Sequence, residues 1–304
     1  MSRLVHLLAE GAGHDCEYGI GLSNHLPMAL VALSRLGAPD LRLDDFARRY
    51  AARLPAAPAP AVWPAGDAWR PPLGRREAWP IYRDLFTQWL EADGVRETLA
   101  QALPALFEGV GAAAFHGLIR TAYAVEAASK SELADALAYW ACRWLPLDGT
   151  PPERDDGLIV QRMQAASADP GFNALIEPIE IGEGTLEDLA REAAALYAAS
   201  GDFAALHLVT SAHAMRVLLP FVDEPLDAVA DYAVAWTAGR AAATLTPGDP
   251  APLQPWAMLV ETAIASDDEH VIKLVHSGLE LERAYGGEVW QRAASRVVAV
   301  ARPG

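Results

Sequence analysis

The sequence predicts an all-α fold. Ala, Leu and Arg dominate, apolar residues recur at three- and four-residue steps in nearly every long segment, and no convincing strand appears. At 304 residues the chain can bury a large core without disulfide or metal staples. The expectation is a single large multi-helix domain of packed helical hairpins over 1–304, with two lobes as the alternative.

The N-terminal stretch "MSRLVHLLAEGAGHDCEYG" has one Arg and a short apolar run broken by His6. It lacks a signal-peptide core and cleavage site, and a reducing cytoplasm is the expected location. "SNHLPMALVALSRLGA" reads as a helix with Ser23 or Asn24 as N-cap, Pro27 in the first turn and Gly37 as its stop. "LDDFARRYAARL" follows as a second helix. Residues 54–75 are proline-rich and read as a long loop or lid carrying Trp63 and Trp69. Helices resume in "REAWPIYRDLFTQWLEADG", "VRETLAQALPALFEG", "GAAAFHGLIRTAYAVEAAS" and "SELADALAYWACRWL". The cluster "PLDGTPPERDDG" at 146–157 is the candidate junction between halves. Beyond it lie "TLEDLAREAAALYAAS", "DFAALHLVTSAHAMRVLL", "EPLDAVADYAVAWTAGRAA", "QPWAMLVETAIAS", "DDEHVIKLVHSGLELERAYGG" and "GEVWQRAASRVVAVA". Every apolar run is too short or too interrupted to cross a membrane.

A net charge of −16 argues against nucleic acid and anionic membrane as partners, since both call for clustered positive charge. A neutral or weakly acidic small molecule fits better. Cys16 and Cys142 each stand without a CxxC neighbour, so neither a disulfide framework nor a metal knuckle is indicated. HExxH, GxSxG, the P-loop and a GxGxxG after a strand are all absent, which leaves protease, hydrolase, kinase, nicotinamide and flavin readings without a motif.

Histidine carries the remaining chemical signal. His25, His116, His213 and His270 each stand near the front of an apolar helical run, a weak internal repetition of helical hairpins. A single core histidine is most often satisfied by a carbonyl or carboxylate. Several from separate helices each cost desolvation, and a metal gives them one partner. His270 and Lys273, His213 and Arg216, and His116 and Arg120 share helix faces, and His276 is expected to continue the face of His270. His207 and His213 are six apart and diverge by roughly a third of a turn, so one of the two is expected as a ligand. Lys273, one of only two lysines, is expected to lose its charge among apolar neighbours. As a neutral amine it serves as a base, or reacts with carbon dioxide to give a carbamate, an oxygen ligand. Its alternative is to snorkel toward Asp268 or Glu269 at the surface. Asp267 and Asp268 suit either the orientation of an imidazole or the capping of the helix. Imidazoles with one oxygen donor favour iron, with manganese and zinc as competitors.

The phrases "GLSNHLPMALVALSRLGA", "LGRREAWPIYRDLFTQWLEADG", "LPALFEGVGAAAFHGLIRTAYAVEA", "ELADALAYWACRW", "LHLVTSAHAMRVLL" and "DDEHVIKLVHSGLE" together resemble the questin oxidase-like family. That resemblance implies an all-helical oxygenase of aromatic polyketides such as anthraquinones. Some such enzymes are Baeyer-Villiger oxygenases without a cofactor, and another looks like a non-heme iron dioxygenase with four histidines and a carboxylated lysine. Carried onto this chain, it implies Fe(II) held by His25, His116, His213, His270 and carbamylated Lys273, with His207 as the alternative to His213. His207, Arg120 and Arg216 are the candidate catalytic groups, the arginines stabilising a phenolate or oxyanion. The partners implied are a small aromatic substrate and dioxygen. A metal-free oxygenase, with histidines as bases, and a non-catalytic helical ligand-binding protein are the rival readings.

Overall fold

Long runs in which every residue is buried set the architecture. A computed structural model describes residues 2–64 and 68–300, so positions 65–67 of the proline-rich loop lie outside the described residues. The chain is all-α and divides into two compact units: Met1–Pro146 with Val217–Glu224, and Leu147–Arg216 with Pro225–Gly304.

Unit 1 begins with α1 (Arg3–Gly11) and a minimal antiparallel hairpin, β1 (Glu17–Tyr18) and β2 (Leu22–Ser23), in which Glu17 pairs with Ser23. The strand-free expectation is corrected there. The run is too short to show a period of two, and Gly19 and Gly21 turn it. Then come α2 (Leu26–Arg35), α3 (Asp40–Ala51), α4 (Trp79–Ala92), α5 (Val95–Phe107), α6 (His116–Glu126) and α7 (Lys130–Arg143). Helix α2 ends as its sequence indicates, with Gly37 at φ 91°, a left-handed position that glycine takes without a Cβ clash. Its start differs: His25 is the N-cap residue, and Asn24 Oδ1 accepts the Leu26 N–H at 3.0 Å from one position further out.

Residues 116–124 of α6 and 132–142 of α7 are buried without interruption, which is the mark of central helices. Helix α7 packs on both α4 and α6, and α2 packs on α6, α3 and α1. Within this core Arg120 and Glu132 form a buried bidentate pair at 2.6 and 3.1 Å.

Unit 2 comprises α8 (Ile159–Ser167), α9 (Asn173–Ile176), α10 (Thr185–Ser200), α11 (Phe203–Leu218, of which the last two residues belong to unit 1), α12 (Pro225–Ala242), α13 (Trp256–Ala265), α14 (Glu269–Tyr285) and α15 (Val289–Val300). Helix α15 packs on α10, α13 and α14, and α12 on α8, α9 and α10. Helix α14 is buried throughout 271–278, and the Asp268 side chain caps its first turn by accepting the His270 N–H at 2.8 Å. Helices α1, α8 and α9 were not expected from the sequence; each is short, and α8 and α9 sit among proline, glycine and charge. No described helix is long and apolar enough to cross a membrane.

Candidate functional site

In unit 1 the buried histidines 25 and 116 come together. Their Nε2 atoms are 2.7 Å apart and their rings stack at 4.6 Å between centroids, 10° from parallel. His25 is held from behind: its N–H donates to the Tyr50 hydroxyl at 3.1 Å, and the Asn24 side chain donates to the Asp15 carbonyl at 2.9 Å. His116 is placed by an unusual turn. Ala113, Ala114 and Phe115 stand consecutively at φ 46°, 55° and 69°, a left-handed run that costs non-glycine residues roughly 1–2 kcal/mol each. The turn brings the Ala113 carbonyl to 2.5 Å from His116 Nδ1. A carbonyl only accepts, so Nδ1 carries a proton, and in a neutral ring His116 Nε2 accepts from His25 Nε2. The next residue, Gly117, lets α6 approach α7 closely, since a Cβ there would lie 2.7 Å from Trp140 Cβ.

In unit 2 the same device appears twice. His207 Nδ1 donates to the Phe203 carbonyl at 2.7 Å, and His270 Nδ1 donates to Asp268 Oδ1 at 3.2 Å. In a neutral ring, Nε2 is then the nitrogen that carries the lone pair. The two rings lie 6.0 Å apart at 64°, and the Phe203 ring packs against each, at 4.8 and 4.7 Å. Burial, then the charges of Lys273 and His270, push the His207 pKa down to about 3, so His207 is neutral at any ordinary pH.

Lys273, one turn beyond His270, is fully buried, and its Nζ has no hydrogen-bond partner. The surface ion pair with Asp268 or Glu269 is therefore not formed. Burial pushes the ammonium pKa down to about 8, with Glu269 and Asp268 only partly opposing it, which is the direction expected from the sequence.

The remaining sequence candidates are placed elsewhere. His213 lies against His276, with ring centroids 5.3 Å apart at 87° and a ring nitrogen of each within 4.8 Å of the other. His276 therefore does not continue the face of His270: six residues turn it away by the same third of a turn that separates His213 from His207. Arg120 is spent on Glu132, with Asp135 3.9 Å from its Nη2, and it presents no bidentate fork to a substrate anion. Arg216 lies 3.9 Å from Glu280 and is one-third exposed. Sequence reasoning missed Phe203 and the Ala113 carbonyl. A helical i−4 spacing could have flagged Phe203, but nothing in "GAAAF" announces three left-handed residues.

Metal-binding histidines commonly donate one ring N–H to an oxygen acceptor, as Nδ1 does in His116, His207 and His270. Nitrogens 2.7 Å apart are close to the roughly 3 Å spacing of neighbouring ligands that each stand about 2.1 Å from an ion. Imidazole nitrogens are a donor type that first-row transition metals accept.

All-α architecture, with a histidine pair in each unit, defines a helical protein. The sequence profile described as questin oxidase-like matches residues 22–170 and 174–277, and the chain belongs to that family. Membership implies an oxidoreductase. No curated protein matches the chain.

Proposed function

We propose that the protein is an oxygenase that uses dioxygen and Fe(II) to cleave a carbon–carbon bond in a ring of an aromatic or quinone-like polyketide. The observation that supports this reading is the repeated orientation of His116, His207 and His270, each with an oxygen acceptor at Nδ1 that turns Nε2 to the opposite side of the ring. The candidate ligands, each unit taken by itself, are His25 and His116 in unit 1, and His270 and Lys273 in unit 2. There His207 replaces His213, because His207 packs near His270 and senses the Lys273 charge, whereas His213 packs on His276. Iron, when bound, supplies dioxygen activation.

The chain's own residues do the rest. The Ala113 and Phe203 carbonyls and the Asp268 carboxylate hold the imidazole tautomers fixed. Lys273, dry and close to its neutral form near pH 8, is suited to add carbon dioxide at Nζ, converting an amine into a carbamate oxygen donor. Phe203 walls the two unit 2 imidazoles on one side.

Elemental analysis of protein purified without chelators tests the proposal, alongside turnover of an anthraquinone before and after chelation. Stoichiometric iron and turnover lost on chelation and restored by Fe(II) are expected, with iron loss in His116→Ala or in His270→Ala reporting which unit holds it. Iron far below one per chain with full turnover overturns it. That result would instead support a metal-free oxygenase. Lys273 favours this second reading too, since an amine with a pKa of about 8 is a competent general base for a phenolic proton.

A further inference from the structure

Unit 1 brings together the only two cysteines among 304 residues. Cys16 directly precedes β1, and Cys142 lies on α7. On that helix residues 139, 142 and 143 share one face, and the two that flank Cys142 are fastened to the hairpin segment. The Tyr139 hydroxyl is 2.6 Å from Ser23 Oγ, and Arg143 Nε donates to Glu17 Oε1 at 2.7 Å. Cys142 is thereby carried close to Cys16, and both residues are wholly buried.

We propose that Cys16 and Cys142 form an oxidisable pair, a modification site at which hydrogen peroxide closes an intramolecular disulfide between the hairpin segment and α7. One thiolate sulfur attacks peroxide, breaking the O–O bond to give a sulfenic acid and hydroxide, which takes up the proton the thiol released. The second thiol then attacks the sulfenic sulfur and expels water. The sum is two thiols and one peroxide giving one S–S bond and two waters. Burial, then the neighbouring Cys142 thiol, hold the Cys16 thiol protonated, while Arg76 pulls the other way, so closure is slow and speeds up as pH rises. The bridge acts on the segment leading to His25. The Cys16 carbonyl accepts the Asn24 N–H at 2.9 Å, and the Asp15 carbonyl accepts the Asn24 side chain.

The test uses the intact chain and does not depend on the metal reading. Protein is exposed to hydrogen peroxide until Met258, an exposed methionine, is oxidised. It is then unfolded in an alkylating reagent and mapped by mass spectrometry. The expected result is one cross-linked peptide pair joining Cys16 to Cys142, a loss of two hydrogens, no alkylation, reversal by dithiothreitol and a raised melting temperature before reversal. Alkylation of both thiols after Met258 has been oxidised overturns the proposal. So does overoxidation without a bridge, or a bridge between chains.

Discussion

A buried ammonium gives up its hydration, and Lys273 receives no hydrogen bond in exchange. Its folded pKa of about 8 lies below its unfolded value of 10.5, so stability is lost as pH falls between the two and is fully lost at neutrality. Lys273→Met in bicarbonate-free buffer should therefore raise unfolding stability by about 3 kcal/mol at pH 7 while abolishing turnover. Urea denaturation and an activity assay read both. His207 gives an acid-side counterpart. With its pKa at about 3 against 6.5 unfolded, stability is complete above pH 6.5 and falls as pH drops toward 3, by about 2 kcal/mol at pH 5. A His207→Gln variant should show a shallower loss over that interval. Arg120 tests as a structural residue: Arg120→Met strands buried Glu132 and should cost about 3–5 kcal/mol, most of it recovered in Arg120→Met with Glu132→Leu. At this scale the sequence indicated that Lys273 would tend to lose its charge, the direction in which burial shifts it. It could not choose between His207 and His213, because that choice depends on the rotation of α11 about its own axis.

Among the elements, α6 and α7 are the pair on which the His116 position depends. Gly117→Ala places a Cβ against Trp140 and should destabilise the fold by about 1–3 kcal/mol, the range for overpacking a filled core. Thermal unfolding measures the cost, and a moved His116 ring should also weaken metal uptake in the same variant. Helices α2 to α7 and α10 to α15 were legible because their apolar periodicity runs for ten residues or more. In α1 the apolar run is short and broken by His6, and α8 and α9 follow a stretch whose prolines and charges mask the period. The β1–β2 hairpin has two residues per strand, too few for any alternation to register. The turn at Ala113–Phe115 was hidden for a different reason: a left-handed backbone is read from glycine or asparagine, and alanine gives no such sign.

For the whole molecule, the acidic surface and the exposed segment 148–157 set the behaviour in solution. Arg154 lies in that segment, between proline and aspartate clusters, with its backbone outside any helix. Limited trypsin treatment should cut there before any helical site, giving two fragments on a denaturing gel. The division into units has a consequence for synthesis. Unit 1 is discontinuous, because it recovers residues 217–224 only after most of the first half of unit 2 has been made. No single cut in the gene releases either unit whole. As the chain leaves the ribosome, His25 and His116 are produced early, yet their unit lacks its last segment until position 224 has emerged. A message truncated anywhere upstream of that point yields an unfinished body, a natural substrate for chaperones and proteases.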